Sequence, residues 1–333
     1  MQVNHAIPLF EYLQAWPGIQ YVHQSNPQPY RKAELEAIIG PLCDGVDDEL
    51  GFAPGAGLVS ESISGLYADV MPGQVGVFAG AQEATFCVMQ AVLNKGDKVV
   101  VITPVYSPLV FTAEQIGCDV VAVALERAEC WTLNLEALRL AMQGCAMLVI
   151  NFPHNPTGAM IDLSTLESIV SLCDEVGCWL LSDEVFRGLE YDASLRLPGA
   201  VEQYDKGLSI GVMSKAFAMP AIRVGWLCSQ NQRVLRDAKR VKSHLSINNS
   251  LFDEQIVARV LPHANTIWQR NVALVQKNLT VLERYLSAEK ARFHFIPPQA
   301  GCCCFPILKC RDAAEYSVLL AEQKQLGVRR QLG

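Results

Sequence analysis

The fold predicted by this 333-residue sequence is α/β: a mostly parallel sheet sandwiched by helices, with a second, smaller α/β unit. Apolar runs and amphipathic segments alternate from about residue 58 to residue 212, the pattern of a parallel sheet covered on both faces. The runs are short and continuously apolar. Trp179, Leu180 and Leu181 in VGCWLLSDEVF leave no polar face, as expected of a strand buried on two sides. Half of the residues are hydrophobic and 18% are charged, so a chain of this length can bury a substantial core.

Taken in order, residues 8–16 suggest a short amphipathic arm, HQSNPQPY an extended loop and residues 33–46 a helix. After GFAPGAG, a helix is predicted near 58–70, strands near 76–79 and 98–103, and a helix over 108–117. Strands near 119–124, 146–151 and 178–182 alternate with helices near 134–142 and 163–176, and a strand near 208–212 follows. Beyond Pro262 a long helix runs through WQRNVALVQKNLTVLERYLSAEKA. FHFIPPQAGCCCFPIL then breaks the pattern, and a final helix covers 312–326.

A net charge of −7 with no basic patch argues against nucleic acid or an anionic membrane as a partner. MQVNHAIPLFEYLQAW lacks the basic start and cleavage site of a signal peptide, and no apolar run approaches bilayer length, so a soluble cytoplasmic protein is expected. The twelve cysteines form no CxxC pair and scatter through predicted elements (Cys87, Cys145, Cys178, Cys228), which reads as reduced core thiols. Cys302, Cys303 and Cys304 are consecutive, and neighbours on a strand face opposite ways, so they cannot jointly grip one zinc ion. His154 and His244 have no partner at ligand spacing, and no metal site is expected. GFAPGAG lacks the preceding strand and following acid of a dinucleotide loop.

The chemistry concentrates in three segments. In SIGVMSKAFAMPAIRVGWL, Lys215 sits in a Ser- and Gly-bounded, otherwise apolar turn, which suits an amine kept from water to condense with an aldehyde. Pyridoxal 5′-phosphate is the aldehyde proposed, with the Ser214 hydroxyl and the Arg223 guanidinium fork matched to its phosphate oxygens. A structural lysine paired with an acid is the competing reading. In AMLVINFPHNPTGAM an apolar strand runs into Asn155-Pro156-Thr157-Gly158, a turn that can aim the amide inward. Asp183 stands at the carboxyl end of the WLLS strand, where ligands of open α/β sheets bind, and there it could keep a pyridine nitrogen protonated. A helix cap or a solvated acid is its ordinary alternative.

The order Asn155, Asp183, Lys215, Arg223, in NPTG, strand-Asp and SK-x7-R contexts, resembles the class I/II aminotransferases of pyridoxal-phosphate fold type I over roughly residues 50–301. GAQEA and SK-x-F-x-MP-x-x-R-x-GW are similar to the subgroup that includes capreomycidine synthase. The resemblance implies that the N–H groups of Ala81 and Gln82, at a helix N-terminus, meet the phosphate. It also implies that Tyr106 lies over the cofactor ring and Asn155 hydrogen-bonds its phenolic oxygen. Lys215 and Asp183 would be the catalytic pair. The division implied is an arm and part of the small domain in 1–45, a cofactor-binding large domain in 46–260 and the rest of the small domain in 261–333, so that both termini build the smaller unit.

The activity implied is amino transfer between an amino acid and a 2-oxo acid, in a homodimer. Elimination, replacement or cyclisation on a specialised amino acid is the runner-up, and a non-catalytic pyridoxal-phosphate binder the rival from another class. Three positions depart from the family pattern. Phe186 replaces a tyrosine that would hydrogen-bond the phenolic oxygen, Val212 replaces a serine, and Phe52 replaces a tyrosine that reaches the phosphate across a dimer interface. The segment after PPQAGCCCFP is short for the family, leaving Arg329 or Arg330 as candidates for the substrate carboxylate.

Overall fold

In the computed structural model, the described residues are 20–21, 25–42, 57–310, 312–324 and 326–327. The arm at 1–16, Phe52 and Arg329–Arg330 lie outside them. The strands in chain order are β1 (Gln20–Tyr21), β2 (Val75–Phe78), β3 (Lys98–Thr103), β4 (Asp119–Ala124), β5 (Cys145–Ile150), β6 (Trp179–Asp183), β7 (Gly207–Val212), β8 (Gly225–Cys228), β9 (Phe293–His294), β10 (Ile307–Leu308) and β11 (Leu326–Gly327). The first helices are α1 (Lys32–Ile39), α2 (Gly57–Ser64), α3 (Ala81–Val92), α4 (Ser107–Ile116), α5 (Leu135–Ala141) and α6 (Leu163–Val176). They are followed by α7 (Ala200–Gln203), α8 (Gln232–Lys242), α9 (Leu251–Val260), α10 (Ala264–Ala288) and α11 (Ala313–Lys324).

Seven strands make the central sheet, in the order β2-β8-β7-β6-β5-β3-β4. Strand β8 is antiparallel to both of its neighbours, and the remaining pairs are parallel. The expected mostly parallel α/β sheet is therefore present, with strands β3 and β4 and helix α6 at their predicted bounds. Strand β8 and helices α8 and α9 are additions that the sequence analysis does not predict. Two predicted helices end early. The one expected over 33–46 stops at Ile39, where Gly40 takes a left-handed φ of 77° and a proline follows, and the one near 58–70 stops before Gly65.

The continuous apolar runs follow from coverage on both faces. Along β3, Val99 and Val101 join one core while Val100 and Ile102 join the other. Strand β5 divides the same way, Met147 and Val149 against Leu148 and Ile150. Helices α3 and α8 cover the first face through Cys87, Val88, Val234 and Leu235; α5 and α6 cover the second through Leu138, Leu166 and Ile169. Period-two alternation then has a functional consequence at the end of β6. Asp183 falls on the face of Leu181, and Glu184 on the opposite one.

The two ends of the chain meet, since β1 pairs in parallel with β11. Helix α10 leads into the antiparallel pair β9–β10. This terminal portion is fastened to the sheet beside the Lys215 turn: Asn271 donates to the Ala216 carbonyl (2.8 Å), Trp268 packs on Phe217, and Gln299 N–H donates to the Gly158 carbonyl (2.8 Å). No helix among the described residues is long and apolar enough to cross a membrane.

Strand β8 begins against the start of helix α3. A Cβ on Gly225 would lie 2.4 Å from the Gly80 carbonyl carbon and 2.5 Å from the Ala81 nitrogen, backbone atoms that cannot swing aside. Gly225→Ala is expected to destabilise the protein by about 1–3 kcal/mol through overpacking. Urea unfolding should show a lower midpoint at an unchanged slope; an unchanged midpoint would contradict the close approach.

Candidate active site

Among the described residues, each predicted site residue lies at or beyond the carboxyl end of a strand, or at the N-terminus of the helix that follows one. Asp183 ends β6 and is 6% exposed. Its Oδ1 accepts the Val185 N–H at 3.2 Å. Burial raises its pKa to about 6, against the opposing effects of that N–H and of the Lys215 charge, with Glu184 adding to the rise.

Asn151, one residue past β5, organises this edge. Its Nδ2 donates to the Asp183 carbonyl (2.6 Å) and its Oδ1 accepts the Asn155 N–H (2.8 Å), so one side chain ties the NPTG turn to the end of β6. Asn155 is buried at the same edge. His154 accounts for itself locally: its Nδ1 is 2.8 Å from the Thr157 hydroxyl, and burial lowers its pKa to about 3, so it is a neutral core group. Among the described residues no group of His, Cys, Asp or Glu side chains could hold a metal ion, and all eleven described cysteines are free thiols.

Lys215 occupies a turn closed at its base by strand-like bonds. Met213 N–H donates to the Val224 carbonyl, Met219 N–H to the Met213 carbonyl, and Ala218 N–H to the Lys215 carbonyl, with Ala218 at a φ of 55°. The lysine is half-buried, and its Nζ donates to Ser25 Oγ at 2.6 Å. Ser25 comes from the N-terminal HQSNPQPY loop, which Arg270 holds by donating to the Gln28 carbonyl (2.7 Å) and lying 4.3 Å over the Tyr30 ring.

Ser214 and Arg223 meet across the base of the same turn, Arg223 Nη1 donating to Ser214 Oγ at 2.8 Å. The guanidinium lies against Gly80, where a Cβ would fall 2.4 Å from Nη2. Gly80 is the N-cap of α3 and supplies no side chain to its first turn, so the N–H groups of Ala81 and Gln82 sit beside Arg223 at a helix N-terminus. A hydroxyl, a guanidinium and helix N–H groups gathered in one place are a donor set suited to a phosphate. The missing Cβ at Gly80 is what lets the guanidinium approach. Lys215, next to Ser214, supplies an amine, and Asp183 at the end of β6 a buried carboxylate, so the residues present fit pyridoxal phosphate.

Tyr106 caps α4 and is half-buried beside this edge. Phe186 is fully buried, with Gly301 packed against its ring. Val212, the last residue of β7, is also buried. Sequence reasoning missed Asn151, Ser25 and Asn271. Asn151 had a signal, a polar residue at the end of an apolar strand; Ser25 and Asn271 are brought in by tertiary packing alone.

Comparison with known proteins agrees with this fold. A PLP-dependent aminotransferase from Streptococcus suis superposes with a TM-score of 0.87 at 27% identity, covering 96% of this chain and 87% of that one. The fold is thus that of the pyridoxal-phosphate-dependent aminotransferases of fold type I. Capreomycidine synthase of Streptomyces vinaceus is 28% identical over 291 residues, 86% of this chain and 74% of that enzyme. Arginine–pyruvate transaminase AruH of Pseudomonas aeruginosa is 33% identical over 156 residues, 46% of this chain but only 40% of that enzyme. The family model of the class I and II aminotransferases matches residues 61–331, and the chain belongs to that family. The expected fold, enzyme class and pyridoxal-phosphate cofactor are borne out.

The raised pKa of Asp183 has a consequence for the cofactor-free protein. A carboxyl group whose pKa is higher folded than unfolded contributes stability that is fully present below the unfolded value, near 4, and is lost as pH rises through about 6. Asp183→Asn keeps an acceptor for Val185 N–H without a charge. The variant should be more stable than the parent at pH 8, by up to about 3 kcal/mol, and the gap should close between about pH 6 and 4. Urea unfolding across that range checks it; a gap independent of pH would show that Asp183 is not held near neutrality.

Proposed function

We propose that this enzyme moves an amino group between an amino acid and a 2-oxo acid, with Lys215 carrying the cofactor and transferring the proton. The observation behind this reading is the convergence just described, with the Lys215 amine, the buried Asp183 carboxylate and the donor set of Ser214, Arg223 and the α3 N-terminus along one sheet edge. Bound pyridoxal phosphate supplies an electron sink for the carbon that bears the transferred nitrogen.

Each residue has a role matched to its chemistry. Arg223, Ser214 and the N–H groups of Ala81 and Gln82 bind the phosphate. Asp183 holds a proton on the ring nitrogen, a charge pairing that its burial strengthens. Asn155 donates to the phenolic oxygen, and Tyr106 covers the ring face. Phe186 backs the ring without a hydroxyl, leaving Asn155 as the donor there. Lys215 would act as base toward the substrate Cα proton and then as acid. Ser25 holds the lysine amine meanwhile.

The division into 1–45, 46–260 and 261–333 belongs to this proposal, and the pairing of β1 with β11 supports a small domain drawn from both ends. So does a homodimer, on family grounds. A cytoplasmic location fits the free thiols, which persist in a reducing compartment. Similarity to capreomycidine synthase over 86% of the chain favours a second reading, elimination, replacement or cyclisation on a specialised amino acid. Product analysis separates the two, since only transfer converts an added 2-oxo acid into its amino acid.

Borohydride reduction followed by peptide mapping should place the cofactor on Lys215. Lys215→Ala should keep the fold and lose about 10²–10⁴-fold or more in turnover, the range for removing a positioned acid–base group. Label on Lys95 or Lys206 would overturn the assignment.

A further inference from the structure

Beneath the turn that leads into α3 lies an ion pair to which nothing above assigns a role. Lys242, in the last turn of α8, has a side chain only 7% exposed, and its Nζ lies 2.8 Å from Oε2 of Glu83, itself 11% exposed. The other two ammonium hydrogens go to Ser246 Oγ (2.6 Å) and Asn249 Oδ1 (2.8 Å), so all three donors are used. The ammonium also lies 5.9 Å from the centre of the Phe78 ring. The cluster grips the turn from two sides: Glu83 accepts the Ala79 N–H, and Asn249 Nδ2 donates to the Phe78 carbonyl (2.8 Å). Gly80 and the Ala81 N–H group follow directly.

Holding the turn does not require an ion pair. An acid in the first turn of a helix is already favoured by the helix dipole, and a neutral glutamine could accept the Ala79 N–H equally well. What the ammonium adds is charge. Glu83 is one residue beyond Gln82, inside the helix turn assigned to the phosphate. A part-buried carboxylate left bare there would repel a dianion through a medium that screens poorly.

We propose that Lys242 is a positioning residue for the cofactor phosphate, neutralising Glu83 so that the N-terminus of α3 can accept a dianion. The inference rests on the phosphate assignment to Ala81, Gln82, Ser214 and Arg223. It concerns a side chain that touches neither cofactor nor substrate.

The test uses the full-length protein, stripped of cofactor and titrated with pyridoxal phosphate and with pyridoxal, which lacks the phosphate. Lys242→Met should weaken pyridoxal phosphate by about tenfold or more while changing pyridoxal by less than about twofold. Removing one member of a buried pair can also unfold a protein, so two further variants carry the test. Glu83→Gln should bind pyridoxal phosphate as tightly as the parent or more tightly. The double variant should return to within about threefold of the parent, because the opposed charges leave together. Equal losses for both ligands, or no recovery in the double variant, would reduce the cluster to a mechanical clamp and overturn the inference alone. A parent protein that binds pyridoxal phosphate no better than pyridoxal would remove the phosphate assignment as well.

Discussion

Burial of the Asp183 carboxylate at the end of β6 is the constraint around which the site is arranged. A charge taken out of water is costly unless it is paired or neutralised. Here one backbone N–H and the positive field of Lys215 are set against the burial, and they do not bring the carboxyl back to its ordinary range. The protein thus carries an acid that a bound cation would satisfy better than the protein does. That is the condition under which a carboxylate can hold a proton on a ring nitrogen. Asn151 keeps the strand end rigid while this tension persists, since it grips the Asp183 carbonyl and the NPTG backbone together.

Parallel alignment explains why the other groups can join it. Strands β3, β5, β6 and β7 all point the same way, so Asn151, Asp183 and the Lys215 turn leave the sheet along one edge. The chain passes through Arg223 before the reversal at β8, and the guanidinium lies against Gly80 at the start of α3. The lysine is steadied from both ends of the chain, by Ser25 from the N-terminal loop and by Asn271 beneath Ala216 from the long helix α10. A site assembled in this way is sensitive to how the terminal portion sits on the sheet, although its chemistry lies in the sheet.

Much of this was legible in the sequence, for definite reasons. Lys98–Thr103 stood out at its observed bounds because Val99–Ile102 is buried and apolar throughout, and the edge strand Asp119–Ala124 because its last five residues form a continuous apolar run. Asn155, Asp183, Lys215 and Arg223 could be found because each sits where a strand pattern breaks. Strand β8 was not found, since its four residues, Gly225–Cys228, present too short a period. Nor could Ser25, Asn271 or the Lys242–Glu83 pair be read, because each depends on a partner 55 to 190 positions away. Local pattern carries no information about such encounters.

Asp183 and Glu184 show how strand alternation gives two neighbouring acids different surroundings. They are adjacent, both buried, and both raised in pKa by that burial. Alternation along β6 sends them to opposite faces. On its face, Glu184 Oε1 accepts the Ser209 hydroxyl (2.7 Å) and the Ala200 N–H (2.9 Å), fastening α7 to β7. These partners are fixed parts of the fold, and both fall on Oε1. Asp183 receives one backbone N–H and the field of an amine. Two acids of the same burial thus differ in their surroundings: Glu184 takes two donors on Oε1 and keeps Oε2 buried without a hydrogen-bond partner, whereas Asp183 takes one backbone N–H beside the Lys215 amine.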